Sequence, residues 1–360
     1  MNTLLVSIIM PIFNAQNYLH QSIQSLLRQT HSHFELFLFD DGSTDSSLAI
    51  AQSFNDPRIQ IFSDGTNKGQ PVRYNTGIQL AKGKYIAIAH ADDVALPNRL
   101  EYTVAFLEEN DEYGIVGGQV ELIDNQGNKL QRKYGIAGDH DFLFLHQLFA
   151  CPLMHTTILA RRELLLAHPY NLTFDSCEDY EIFARCSLLT KMYNLDQPLT
   201  LYRLHPNNLT KTKRATHALR IQSIMQNLYA AIGLEYAARD FEFHLLNFYF
   251  HKANLSITEI QQIEAWLMDM RDRLRSLNRF DENLIDEVLF INWLAACKKG
   301  RGVGWRLIHI FKKSPLAKGS EINFKQQLVL FSIALPQNST ISQVYTWLRT
   351  LTQRRNHTVK

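Results

Sequence analysis

The sequence predicts a doubly wound α/β fold on a mostly parallel sheet, followed by a mainly helical region. Three observations carry this: apolar runs rich in branched residues, helical-period segments between them, and polar residues gathered where the runs end. Residues 4–12 (LLVSIIMPI) suit a strand buried on both faces. Leu19, Ile23, Leu26 and Leu27 then share one helical face, and FELFLF (34–39) supplies a second buried strand. Ser43 or Asp45 can cap a helix near 46–54, residues 58–62 read as a third strand, and 72–81 as a third helix, which Gly83 ends. The fourth strand, 85–89, runs into His90-Ala91-Asp92-Asp93, and Pro97 is placed as the first residue of a helix carrying Leu100, Val104 and Leu107. In such sheets ligands bind beyond the carboxyl ends of the strands.

Past residue 113 the pattern loosens into short strands around the turn Asp124-Asn125-Gln126-Gly127, a helix near 140–149 and an extended run at 154–160. A helical stretch is expected over 178–189, then strand or loop over 193–202. The region after about 215 reads as mainly helical, which divides the chain into 1–215 and 216–360. No internal repeat or low-complexity tract is visible.

With 46% hydrophobic and 20% charged residues in 360, the composition is that of a globular chain and excludes disordered and fibrous architectures. The net charge of +2 provides no global cationic field for nucleic acid, and no zinc, RRM or helix-turn-helix pattern is present. The charge is nevertheless uneven. From residue 288 onward twelve bases face the single acid Glu321, a net +11, which leaves −9 for residues 1–287. The four cysteines, Cys151, Cys177, Cys186 and Cys297, have no CxxC spacing and are expected as reduced thiols in a cytoplasmic protein. The N-terminal apolar run lacks a basic leader and is interrupted by Pro11, and no stretch reaches about 18 uninterrupted apolar residues, so no membrane span is expected. The triplet Asn208-Leu209-Thr210 then carries no glycosylation meaning.

Polar residues cluster at the strand ends: Asn14 after the first strand, Asp40-Asp41-Gly42-Ser43 after the second, and His90-Ala91-Asp92-Asp93 after the fourth. One acidic pair at a strand end can be a helix cap or a turn. Two pairs on neighbouring strand ends repel unless a cation or hydrogen-bond donors lie between them. Hard carboxylate oxygens favour Mg2+ or Mn2+, usually in company with substrate phosphates.

These segments resemble a known family. VSIIMPIFNAQNYL, SLLRQT and FELFLFDDGSTDSS within 6–47, then NKGQPVRYNTGIQLAKGKYIAIAHADD and LPNRLE within 67–101, are similar to the inverting family 2 glycosyltransferases of the GT-A fold. The likeness is close over about 4–110 and sparser through CPLMHTTILARRELL (151–165), CEDYEIFARC (177–186) and YRLHPNNLT (202–210). It implies that Pro11, Phe13, Asn14 and Asp41 hold the nucleotide base of a donor. A carboxylate can accept the imino hydrogen of uracil, while Asp40 can instead cap the next helix. Lys68 and Arg73 are expected to face the diphosphate, where Lys is a point charge and Arg a planar fork, or simply to be solvated.

The family's Asp-x-Asp motif corresponds to His90-Ala91-Asp92, so the resemblance implies that Ala91 and Asp92 meet the donor and that Asp92 ligates Mg2+ or Mn2+. His90 stands where the first acid would be, which leaves a packing role and a ligand role open. Glu178-Asp179 matches the acidic pair that opens a helix, with Asp179 the implied base; the alternative is a pair of acids placed favourably at a helix N-terminus. His205 in YRLHP is implied at the metal or diphosphate, and His155 is a further candidate near the acceptor-facing segment.

The expected activity is therefore transfer of a sugar from a nucleotide sugar, by default a UDP-sugar, to a hydroxyl of a glycan or lipid-linked glycan, with inversion, in polysaccharide or lipopolysaccharide biosynthesis. A sugar-nucleotide pyrophosphorylase would carry a Gly-rich phosphate loop where PIFNAQN stands. A binding or assembly protein that has lost catalysis is suggested only by His90, and retention of Asp92 and Asp179 argues against it. The basic segment 304–313 (GWRLIHIFKK) reads either as an interfacial anchor on the anionic inner face of a membrane or as a packed helix with solvated lysines.

Overall fold

A computed structural model describes residues 5–206, 214–246, 254–300, 303 and 305–317. The triplet at 208–210 and most of the basic tail, including Arg301, Lys318, Lys325, Arg349, Arg354, Arg355 and Lys360, lie outside the described residues. The chain divides into two compact units, Met1–Gln147 with Cys151–Leu228 and Leu148–Ala150 with Tyr229–Lys360.

The first unit opens with β1 (Val6–Ile12), α1 (Leu19–Leu27), β2 (Phe34–Asp40), α2 (Ser47–Gln52), β3 (Ile59–Ser63), α3 (Gln70–Leu80) and β4 (Tyr85–Ile88). These strands lie in the order β3-β2-β1-β4, and every pair is parallel. All residues of β1, β2 and β4 are buried, which is why each reads as an unbroken apolar run. Ile8, Ile9, Met10 and Ile12 have no exposed surface; burial of each such side chain contributes about 1.5–3 kcal/mol.

The unit continues with β5 (Val94–Ala95), α4 (Arg99–Glu109), β6 (Tyr113–Ile123), β7 (Lys129–Tyr134), α5 (His140–Gln147), a 3-10 turn (His155–Thr157), β8 (Leu159–Arg161), α6 (Arg162–Ala167), α7 (Glu178–Cys186), β9 (Lys191–Arg203) and most of α8 (Arg214–Ala231), whose residues from Tyr229 on belong to the second unit. β8 lies antiparallel between β4 and β6, β9 runs parallel to β6, and β7 forms a hairpin with β6. The sheet is thus mixed, with its parallel half at the β3-β2-β1-β4 side.

Several boundaries differ from the sequence expectation. α4 starts at Arg99, two residues after Pro97, because Leu96 donates its amide to the Leu199 carbonyl and the Pro97 carbonyl accepts the Thr30 amide, holding the chain outside the helix. The stretch 193–202 is part of a 13-residue strand. Its register shifts against β6 near Gly118 and Gln119, which breaks the alternation that would have marked it as strand. The run at 154–160 splits into the 3-10 turn and β8.

The second unit is helical as read from the sequence: α9 (Ala238–His244), α10 (Ile257–Ser276), α11 (Glu282–Lys298) and α12 (Trp305–Lys313). α10 begins with a capping box in which Ser256 and Glu259 exchange side-chain and backbone hydrogen bonds. Leu307 and Phe311 of α12 are buried, and the Phe311 ring packs near Phe290 and Trp293 of α11. Two of the apolar residues that suggested an interfacial anchor are therefore spent on the unit's own core, and Arg306, His309, Lys312 and Lys313 form the exposed face. Among the described residues, no helix is long and apolar enough to cross a membrane.

Candidate active site

The parallel strands end together, so β1, lying between β2 and β4, brings three polar clusters to one edge of the sheet. Asn14 sits just past β1 in the left-handed region, at φ 49°. Its amide donates to Ser43 Oγ (3.1 Å) and its Oδ1 accepts the Thr44 amide (2.8 Å). Asp45 Oδ2 likewise accepts the Gln16 amide, so the two strand-end loops brace each other. Phe13 is 52% exposed beside them. Pro11 is buried inside β1 opposite Phe39, one residue before the strand ends.

The two aspartates after β2 divide their work. Asp40 accepts the Ser43 amide and the Ser63 hydroxyl, which is the turn-holding role. Asp41 accepts from the Lys68 amide (2.9 Å), the Gly69 amide (3.0 Å) and Arg73 Nε (2.6 Å), so its buried carboxylate lies at the N-terminal end of α3. The approach of these loops depends on glycine at two positions. A Cβ at Gly42, where φ is +76°, would meet Asn67 N and Thr66 C at 2.9 Å, and Gly69 has φ +86°. Arg73 is buried and spends its guanidinium on Asp41, Asp64 and the Thr66 carbonyl, and Lys68 Nζ pairs with Asp64 (2.6 Å). The expected Arg73 fork toward a diphosphate is thus turned inward, drawn by two carboxylates.

At the end of β4, Asp92 Oδ2 is 2.9 Å from His205 Nε2. Burial alone would raise the Asp92 pKa, but His205 and His90 outweigh it and keep the carboxyl below its ordinary value. Asp93 is buried; its Oδ1 accepts the Arg203 amide (2.9 Å), while Oδ2 has no hydrogen-bond partner and lies 3.6 Å from His90 Nδ1. Burial and Asp92 raise the Asp93 carboxyl. His90, Asp92 and Asp93 each offer one ligand atom, all within 4.8 Å of one another. Two carboxylate oxygens and an imidazole nitrogen, in a group where Asp93 Oδ2 has no hydrogen-bond partner, fit a divalent cation.

Arg203 fixes this loop and was not singled out by the sequence, although it stands two residues before His205 in YRLHP. Its Nε donates to the Asp92 carbonyl (2.8 Å) and NH2 to Gln21 Oε1 (2.7 Å), while the guanidinium covers the Tyr18 ring. Tyr18 in turn packs on His205. Asp93 likewise has no role legible in the sequence alone, since only the fold shows that its second oxygen faces His90.

His155 is buried behind His90, with its Nδ1 3.4 Å from His90 Nε2 and its Nε2 2.8 Å from the Tyr170 hydroxyl. Burial, together with His90 and Arg99, holds its pKa well below the ordinary histidine value, so it is neutral. Glu178 and Asp179 open α7, and Asp179 Oδ1 accepts the Tyr180 amide (2.7 Å). The Asp179 charge acts on His90, and the charges of Glu178, Asp179 and Asp92 all act on Tyr74, so the two acidic motifs share one electrostatic neighbourhood. Burial raises the Asp179 carboxyl.

Glu178 is buried with an unpartnered Oε2, and burial followed by the Asp179 charge pushes its pKa up to about 8. The folded state therefore holds a proton that the unfolded chain releases near its ordinary value of 4.5. The stabilisation is complete below that value and is lost as pH rises through about 8. Glu178→Gln, neutral at every pH, is expected to flatten the decline of Tm between pH 5 and 8.5; parallel wild-type and variant profiles would contradict the assignment.

The family model described as Glycosyl transferase family 2 matches residues 7–165. Two uncharacterized glycosyltransferases of Haemophilus influenzae are similar. One is 31% identical over 223 residues, covering 57% of this chain and 67% of that protein. The other is 34% identical over 188 residues, covering 52% and 73%. The UDP-Glc:alpha-D-GlcNAc-diphosphoundecaprenol beta-1,3-glucosyltransferase WfgD of Escherichia coli is 29% identical over 208 residues, 55% of this chain and 79% of that one. Among solved structures, S. aureus TarS 1–349 in complex with UDP-GlcNAc shares the fold at TM-score 0.53, with 19% identity over 82% of this chain and 88% of that chain. The mixed sheet flanked by helices is thus a GT-A-like fold, and with this site at its strand ends the chain belongs to glycosyltransferase family 2.

Proposed function

We propose that this glycosyltransferase moves a sugar from a UDP-sugar to a hydroxyl of a glycan or lipid-linked glycan with inversion, as part of polysaccharide or lipopolysaccharide assembly, with residues 1–215 as its catalytic part. The observation that carries the proposal is the Asp92–His205 contact beside the unpartnered Asp93 oxygen, in the same electrostatic neighbourhood as Asp179. WfgD, named for a UDP-Glc donor and a diphosphoundecaprenol acceptor, supports the donor and acceptor classes.

Phe13 is assigned to the base ring. Asp41 accepts three hydrogen bonds, and a carboxylate has about four acceptor sites, so one remains for the imino hydrogen of uracil. Arg73 then acts as a positioning residue that holds Asp41, and Lys68 supplies a half-exposed charge for the diphosphate. Mg2+ or Mn2+, when held by Asp92 with His90, Asp93 or His205, would stabilise the charge that develops on the departing diphosphate. Asp179 takes the acceptor hydroxyl's proton, and its raised pKa strengthens it as a base. Glu178, largely protonated at neutral pH, can donate a hydrogen bond to a sugar oxygen in the same place.

Calorimetric titration of the full chain with UDP, ADP, GDP, CDP and dTDP in Mn2+ tests the base assignment. UDP is expected to bind at least tenfold more tightly than the others, and equal affinities would contradict it. A peripheral location on the cytoplasmic face of a membrane rests on charge. Arg306→Glu with Lys312→Glu and Lys313→Glu is expected to release the protein from vesicles of anionic lipid at moderate salt. Unchanged co-sedimentation would remove α12 from that role.

A further inference from the structure

His90 is the one departure from the family's acidic motif, and the structure surrounds it on both sides. Its Nδ1 lies 3.6 Å from Asp93 Oδ2, which has no hydrogen-bond partner, and the residue is grouped with Asp92 and Asp93. Its other nitrogen, Nε2, is 3.4 Å from His155 Nδ1. His155 Nε2 meets the Tyr170 hydroxyl at 2.8 Å, and Tyr170 is clamped to α3 by two bonds, its amide to Asn75 Oδ1 and Asn75 Nδ2 to its carbonyl. The His155 ring is also enclosed by the rings of Tyr74, Tyr170 and Phe183.

This is the arrangement of a ligating histidine and its supporting acceptor. A histidine that ligates through one nitrogen donates the hydrogen on the other to a fixed partner, which sets both its tautomer and its direction. The tautomer of His155 with its hydrogen on Nε2, facing the Tyr170 oxygen, is the one that can accept at Nδ1. With that tautomer, His90 donates from Nε2 and keeps its Nδ1 lone pair on the side of Asp93. Asp93 Oδ2, the buried oxygen on that side, has no hydrogen-bond partner.

Resting on the transferase reading of this site, we propose that His90 is a nitrogen ligand of the catalytic cation, oriented by His155 and Tyr170, and that it makes the centre favour a first-row transition ion such as Mn2+ over Mg2+. Mg2+ prefers oxygen ligands and water in near-ideal octahedral geometry, so one imidazole in place of a carboxylate handicaps it more than Mn2+.

The test is direct metal binding by the full chain, followed by electron paramagnetic resonance of Mn2+ with and without UDP. A 14N coupling to bound Mn2+ is expected in the wild type and in His205→Gln, and is expected to vanish in His90→Gln. Competition should show at least tenfold preference for Mn2+ over Mg2+, reduced in His90→Asp. His155→Phe, which keeps a ring and removes both nitrogens, is expected to weaken Mn2+ binding by about 10–100-fold. Thermal melting of each variant confirms folding. Oxygen-only coordination in the wild type, coupling that persists in His90→Gln, or no Mn2+ binding in either condition overturns the proposal. Failure to bind UDP while the His90 coupling is present supports the ligand and contradicts the donor assignment, so the two readings fail separately.

Discussion

Asp179→Asn is expected to lower kcat by about 10²–10⁴-fold, the range that general-base catalysis supplies, while donor affinity stays close to wild type. The substitution preserves shape at the start of α7, and the amide oxygen can still accept the Tyr180 amide that Asp179 Oδ1 holds at 2.7 Å. What it removes is the only property assigned to the residue, a carboxylate able to take a proton. Steady-state kinetics with calorimetric donor binding separates the outcomes. A change confined to KM, or an unchanged kcat, would return Glu178-Asp179 to the role of acids favourably placed at a helix N-terminus.

Asp92→Ala is expected to reduce turnover by about 10²–10³-fold, the cost of deleting one preorganised electrostatic group, and to weaken Mn2+ binding in parallel. Asp92 differs from Asp93 in the property that matters for a ligand. His205 and His90 hold Asp92 ionised despite burial, whereas burial and Asp92 itself raise Asp93. Equilibrium Mn2+ titration of the variant, monitored with thermal melting, reads the metal site without relying on turnover. Wild-type metal affinity in folded Asp92→Ala would remove it from the centre.

The parallel half of the sheet was legible because burial on both faces leaves no polar alternation in 4–12 and 34–39. The strand-end clusters followed from that alone. What could not be read is the direction of side chains whose partners are distant in the chain. Arg73 lies on the expected helix, yet its guanidinium turns toward Asp41, 32 residues away. Asp93 is held by the Arg203 amide across 110 residues, and no local pattern announces that contact. The basic segment illustrates the same point from the other side: its aromatic and aliphatic content suits a membrane or a core equally, and only the structure shows Leu307 and Phe311 spent on the core while the bases stay exposed. Register shifts left 193–202 readable as either strand or loop, since alternation is the only local mark of a half-buried strand.

The central claim, metal-dependent transfer from a UDP-sugar, is tested most directly by following nucleoside diphosphate release from a panel of nucleotide sugars with Mn2+, Mg2+ or chelator. Donor hydrolysis can be observed without the acceptor in hand. Selective release of UDP from one UDP-sugar, dependent on the divalent ion and lost in Asp92→Ala, is the predicted result. Release that is indifferent to chelator, or that comes from a nucleotide other than uridine, in protein shown to be folded, would contradict it.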